Sequence, residues 1–175
     1  MKYSEEQQLL KQAIGGDRQA FSALLEEYYR MIYNTAFKWT GNQEDSEDIA
    51  QEVCIKLGRS IRDFRIDSKF STWLYRIVLN TVNDFHRKKK NHRDIEDIHD
   101  LADPHSAESH AQRQELWHWV IQLPEKQRDA VLLVYGEGLA HGETANAMEC
   151  KESTVSWYIH EAKKQLKIWM HRDGR

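Results

Sequence analysis

The sequence predicts an all-α protein made of two small helical domains joined by a flexible acidic linker, the second domain containing a helix-turn-helix. Three observations carry this prediction. Only two prolines and eight glycines occur in 175 residues, while Leu, Ala, Glu, Gln, Lys and Arg, the good helix formers, are plentiful. Apolar residues recur at three- and four-residue steps along most of the chain. Between about residues 91 and 111 (NHRDIEDIHDLADPHSAESHA) that period disappears, Pro104 intervenes, and acids and histidines accumulate, as in a linker. The expected boundaries are 1–93, 94–112 and 113–175, within the range of one ordinary or two small domains.

Residues 4–14 and 18–40 read as the first two helices. Gly15-Gly16 separates them, and Asp17 is the expected N-cap of the second, whose inward stripe is Phe21, Leu24, Leu25, Tyr28, Ile32 and Ala36. A third helix is expected over 43–60, capped by Asn42, with Ile49, Val53 and Leu57 inward. A loop, RDFRIDSK, precedes a fourth helix over about 69–89. In the second domain a helix passes through Leu116, Trp119 and Val120, and Pro124 starts another that carries Ala130, Val131, Leu133 and Val134. Beyond Gly136 and Gly138 follow a short helix at about 142–148, a turn at 149–151 and a longer helix at about 152–169.

The net charge of -3 would argue weakly against nucleic acid if it were spread evenly, but it is not. Lys plus Arg against Asp plus Glu is 5 against 10 over 1–55, 11 against 3 over 56–93, 1 against 7 over 94–115 and 8 against 8 over 116–175. Cys54 and Cys150 have neither disulfide-framework nor zinc spacing, so reduced, buried thiols are expected. The first residues, MKYSEEQQLLKQ, have no apolar core of signal-peptide length, and no apolar run approaches a membrane span. A cytoplasmic protein is the expectation.

The stretch GLAHGETANAMECKESTVSWYIHEAKKQLKIWM has the layout that places a second helix in the DNA major groove. Val155, Ile159, Ala162 and Leu166 share one face; Ser156, Trp157, His160, Lys163, Lys164 and Lys167 take the other. By itself this also fits an ordinary amphipathic helix with a solvated lysine face.

The helix FSTWLYRIVLNTVNDFHRKKK has an apolar side of Phe70, Leu74, Ile77, Val78 and Phe85. Its other side presents Trp73, Arg76, Asn80, Asn83 and Arg87 within a sector of roughly 80°. A ring beside amides and guanidinium groups suits an unpaired strand, because bases stack on rings, amides read base edges and cations hold phosphates. The plainer reading makes Trp73 a packing residue and RKKK at 87–90 a helix C-terminus complementing its dipole.

On the preceding helix, EDSEDIAQE puts Asp45, Asp48 and Glu52 within about 60°, with Glu44 close by and Ile55 at the edge. Like charges on one face repel and are expected to gain nothing within the protein, so a basic partner surface is the reading that uses them. A solvated face, or a magnesium site in a nuclease, are the alternatives. The second lacks a base or a phosphate cradle.

In order, GNQEDSEDIAQEVCIKL, FSTWLYRIVLNTVNDFHRKKK and LPEKQRDAVLLVYGEGLAHGETANAMECKESTVSWYIHEAKKQL resemble the extracytoplasmic-function (ECF) branch of the sigma-70 family, over roughly residues 8–170. Three motifs in the correct order and spacing are far more specific than one. The resemblance implies an RNA polymerase sigma factor that directs core polymerase to promoters, with no catalytic residue, cofactor, metal or small-molecule substrate of its own. Asp45, Asp48, Gln51 and Glu52 inherit docking on core RNA polymerase. Phe64, Lys69, Trp73, Arg76 and Asn80 inherit capture of the melted minus-ten strand, with Asn83 and Arg87 on the same face. Ser153, Thr154, Ser156, Trp157, His160, Lys163 and Lys164 are placed at the minus-35 element of promoter DNA.

The resemblance also implies an anti-sigma factor as a partner, one that could hold the protein at the membrane. One departure stands out. Many relatives, on the pattern TVKSRLHRAR, carry basic residues where this chain has Ser156, Tyr158 and Glu161, which implies a weaker phosphate grip or an unusual target. A stand-alone helix-turn-helix regulator is the alternative reading of the whole chain. The acids of the 94–115 stretch are expected either to lie in a basic path of the polymerase or to shield the 56–93 basic surface.

Overall fold

The computed structural model describes the backbone of residues 3–66, 68–92 and 116–172. The 94–112 linker, with His99, His105 and His110, lies outside the described residues. The chain divides into two compact units, Met1–Glu96 and Asp97–Arg175. All regular structure among the described residues is helical.

The first unit contains α1 (Tyr3–Ile14), α2 (Arg18–Thr40), α3 (Gln43–Ser60), a 3-10 turn (Ile61–Asp63) and α4 (Phe70–His92). Its junctions are made by local chemistry. Gly16, at φ +95°, turns the chain after α1. The Asp17 carboxylate then accepts from the Gln19 and Ala20 N–H groups at 2.8 and 3.1 Å, satisfying donors that α2 cannot pair internally. At the other end Gly41, at φ +63°, returns its N–H to the Phe37 carbonyl, and the adjacent Asn42 side chain accepts from Asp45 N–H at 2.9 Å. Two residues thus end α2 and start α3. The Thr40 and Ser46 hydroxyls, 2.8 Å apart, pin that corner.

Removing the Asp17 cap leaves two N–H groups without their acceptor. Asp17→Ala is expected to cost about 1 kcal/mol of stability, read as a lower urea midpoint at unchanged slope.

Leu10 of α1, Leu24, Ile32 and Trp39 of α2, Ile49, Val53 and Leu57 of α3, and Leu74, Val78 and Val82 of α4 are almost fully buried. α4 packs against both α2 and α3. A His86 ring nitrogen lies 3.2 Å from the Trp39 carbonyl, and the Lys56 ammonium donates to the Thr81 hydroxyl at 3.2 Å. These bonds tie α4 to each neighbour.

The second unit contains a helix described over 116–121 (α5), α6 (Glu125–Val131), a π-helical turn (Leu132–Gly136), α7 (His141–Ala147) and α8 (Glu152–Arg172). Pro124 precedes α6 as expected. The π turn was not legible in the sequence pattern; it lets Glu137 N–H reach the Leu132 carbonyl at 2.9 Å and leaves Tyr135 exposed. Ala145 and Ala147 of α7 and Ala162 of α8 are buried, and α8 packs against both α6 and α7. The turn between these helices passes through Glu149 at φ +52°, a conformation that costs a non-glycine residue energy. α8 runs three residues past the expected end, to Arg172, and near that end Trp169 packs on Trp119, with ring centroids 5.8 Å apart.

Candidate functional surfaces

Three surfaces expected from the sequence can be located. The first lies on α3. Asp48, Gln51 and Glu52 are exposed, and Ile55 beside them is 49 % exposed, an uncommon fate for an isoleucine. Asp45 departs from the expectation that these acids gain nothing within the protein. Its carboxylate forms an ion pair with Lys89 of α4, 44 residues away in sequence, and is only partly exposed. The outward acidic face is therefore narrower than the helical spacing suggests. Among the described residues no three His, Cys, Asp or Glu side chains converge as a metal site.

The second surface lies on the loop before α4 and on α4 itself. Lys69, Asn80 and Arg87 are exposed, and Trp73 and Arg76 are half-buried. Trp73 packs against Phe64 at 5.1 Å and Phe70 at 5.8 Å between ring centroids. It is therefore a packing residue on one side and open on the other. Two expected members face inward: Phe64 is 5 % and Asn83 4 % exposed. For Asn83 the cause is that α2 and α3 pack on α4, which narrows its open arc below the 80° sector inferred from spacing; Phe64, in the loop before α4, is covered by Phe70 and Trp73. In this structure neither presents the surface that a direct DNA contact requires; Phe64 instead buttresses Trp73.

Arg87 pairs with Asp84, which also meets Lys56 at 3.5 Å. Burial raises the Asp84 pKa, but the bonds and charges of Arg87 and Lys56 outweigh it and hold the carboxyl below its usual value.

The third surface lies on α8. Val155, Ile159 and Ala162 are buried against the unit, while Ser153, Ser156, Trp157, His160, Lys163 and Lys164 are exposed and Thr154 is half-buried. The two faces fall as the helical spacing requires. Ser156 lies 3.0 Å from His141 Nδ1, and Lys163 lies over the Tyr135 ring at 5.1 Å. His141 and Tyr135 were missed by sequence reasoning because each belongs to another element and reaches α8 only in the folded unit. His118 packs edge-on against Trp119. The two thiols are half-buried rather than buried, and free; burial pushes both up, with Lys126 offsetting part of this at Cys150.

No helix of the described residues is long and apolar enough to cross a membrane. Comparison with known proteins matches residues 24–92 to Sigma-70 region 2 and residues 113–166 to Sigma-70, region 4. The chain is 33% identical over 178 residues to the RNA polymerase sigma-H factor of Pseudomonas aeruginosa, covering 93% of this chain and 92% of the relative. It is 32% identical over 173 residues to the ECF RNA polymerase sigma factor SigW of Bacillus subtilis, covering 90% and 92%. Among solved structures, CnrH in complex with the cytosolic domain of CnrY shares the fold at TM-score 0.72 and 20% identity, over 97% of this chain and 99% of that one. The sigma factor RpoE in complex with the anti-sigma factor NepR from Bartonella quintana does so at TM-score 0.70 and 18% identity, over 86% and 96%. None of these similarities favours a stand-alone regulator. The chain belongs to the extracytoplasmic-function branch of the sigma-70 family and is an alternative RNA polymerase sigma factor.

Proposed function

We propose that the two units divide the work of promoter recognition. The first, over residues 1–93, docks on core polymerase through Asp48, Gln51, Glu52 and the apolar edge at Ile55, and holds the unpaired minus-ten strand with Lys69, Trp73, Arg76 and Asn80. The second, over 113–175, reads the minus-35 duplex with Ser153, Ser156, Trp157, His160 and Lys164. Phosphodiester chemistry stays with the polymerase, so the chain itself catalyses nothing. Each unit needs only modest affinity, because docking on one enzyme turns the second binding event into an intramolecular one.

The observation that carries this reading is the pairing, within the first unit, of an exposed acidic face on α3 with a half-open Trp73 on α4. A regulator acting alone on duplex DNA has no use for either. The test is in-vitro transcription with core polymerase on a library of randomised promoters, beside footprinting of the protein alone. Transcripts from templates sharing two separated elements are expected, with no footprint without core enzyme. A specific footprint without core enzyme would overturn the reading.

The grip of α8 on phosphate yields a second expectation. Lys164→Ala should weaken holoenzyme binding about equally on all promoters and lower the slope of log affinity against log salt by about 1, measured by titration at several salt concentrations. We further propose an anti-sigma partner that covers both units in the resting cell and could hold the protein at the membrane. The sigma factor RpoE from Bartonella quintana, which shares the fold, is in complex with the anti-sigma factor NepR, and this supports the proposal.

A further inference from the structure

Ser156, exposed on the outward face of α8, carries no charge, so what it can do at DNA depends on a single hydroxyl. That hydroxyl has two neighbours in the folded unit. Its Oγ lies 3.2 Å from the Glu152 carbonyl, one turn back on α8, and 3.0 Å from Nδ1 of His141, fifteen residues earlier on α7. The histidine is brought there by its own element. α7 packs against α8, and the Glu143 carboxylate accepts from Ala140 N–H at 3.1 Å, which fixes the backbone immediately before His141. The first turns of the two helices lie side by side, with a Glu152 carboxylate oxygen 3.6 Å from where a Cβ at Gly142 would stand.

A serine hydroxyl has one proton to donate and two lone pairs that accept. Two arrangements satisfy the contacts of Ser156. Either its proton goes to the Glu152 carbonyl and His141 Nδ1–H donates to the oxygen, or the proton goes to Nδ1 itself. In both, the proton stays within the unit, and the side of Oγ turned to solvent carries lone pairs alone. A serine without such neighbours differs, because its hydroxyl rotates and either donates or accepts.

We propose that His141 is a positioning residue for promoter recognition, holding Ser156 as an acceptor-only reader that selects a base with a major-groove amino group, adenine or cytosine. The inference rests on the proposed minus-35 role of α8. Adenine N6 and cytosine N4 are the donors that the major groove displays, whereas guanine N7 and O6 and thymine O4 only accept and meet the lone pairs with repulsion. His141 therefore acts on sequence preference through Ser156, without touching the base.

The test uses holoenzyme assembled from the full chain and core polymerase, incubated with duplex promoter DNA randomised across the minus-35 element, with retained molecules sequenced. At one position of one strand, wild type should favour adenine or cytosine over guanine and thymine by roughly 3- to 10-fold, the size of one net hydrogen bond. His141→Ala frees the hydroxyl to donate; it should remove most of that preference and leave the other positions as they were. Ser156→Ala should remove it too, and adding His141→Ala to Ser156→Ala should change that position no further. An unchanged His141→Ala profile, a loss spread evenly over all positions, or a further change at that position in the double variant would overturn the role of His141. A wild-type preference for guanine or thymine at the position sensitive to Ser156→Ala would overturn it without any His141 variant. If Ser156→Ala altered nothing while Trp157→Ala and His160→Ala did, the inference would fall and the minus-35 reading would stand. If none of these variants altered the profile, the minus-35 reading itself would fall.

Discussion

Asp48→Lys combined with Glu52→Lys abolishes co-purification with core polymerase; this is the largest effect expected. Both side chains are exposed and on one face of α3, so the substitutions leave the core of the unit untouched. Surface changes of this kind ordinarily alter stability by less than about 0.5 kcal/mol. At a charged interface each lost pairing costs about 2–5 kcal/mol when the partner charge is buried, and reversal adds repulsion. Even the low end, counted twice, exceeds about 100-fold in affinity. Thermal unfolding of the double variant checks that the fold survives. If the folded variant still co-purified with core enzyme, the docking face would have to lie elsewhere. Asp45 makes a poor probe for this purpose, because its pairing with Lys89 mixes loss of docking with loss of an internal bond.

The second large effect belongs to Trp73. Trp73→Ala should preserve polymerase binding and impair promoter opening, measured as permanganate reactivity of unpaired thymines. Stacking of one base on a ring contributes about 1–3 kcal/mol, so the open fraction should fall by roughly 5- to 100-fold under limiting conditions. The packing of Trp73 on Phe64 and Phe70 means that alanine also removes contacts from the loop. Trp73→Phe retains a ring on the same neighbours, and should restore most of the opening if stacking is the cause. Normal opening by Trp73→Ala would remove the stacking role. Equal failure of both variants would assign the effect to the lost indole rather than to ring stacking in general.

Much of the architecture was legible because it rests on short-range rules. The Asp17 and Asn42 caps, the glycine break after α1 and the proline before α6 act within a few residues, and helical spacing sorted the faces of α8 correctly. The division into acidic, basic and acidic stretches, and three motifs in order, were enough for the family. The exposure of Asp48, Gln51 and Glu52 on α3 and of the polar residues of α8 was legible on the same basis, since one helix face decides it.

Tertiary packing decided what depends on a second element. Whether Asn83 faces solvent follows from α2 and α3 closing on both sides of α4, which a single-helix wheel does not contain; Phe64 is covered by the rings of Phe70 and Trp73, which the loop brings to it. The Asp45–Lys89 pair, the Tyr28–Glu6 bond and the approach of His141 to Ser156 join residues distant in sequence; side-chain reach across a packed interface, not periodicity, makes them. The π turn that carries Tyr135 outward also has no local pattern to announce it. Sequence alone thus determined the helices, their caps and their amphipathic faces, because these are set by interactions between near neighbours. Only the folded structure decided how much of each polar face remained open, because that depends on which other helices pack against it.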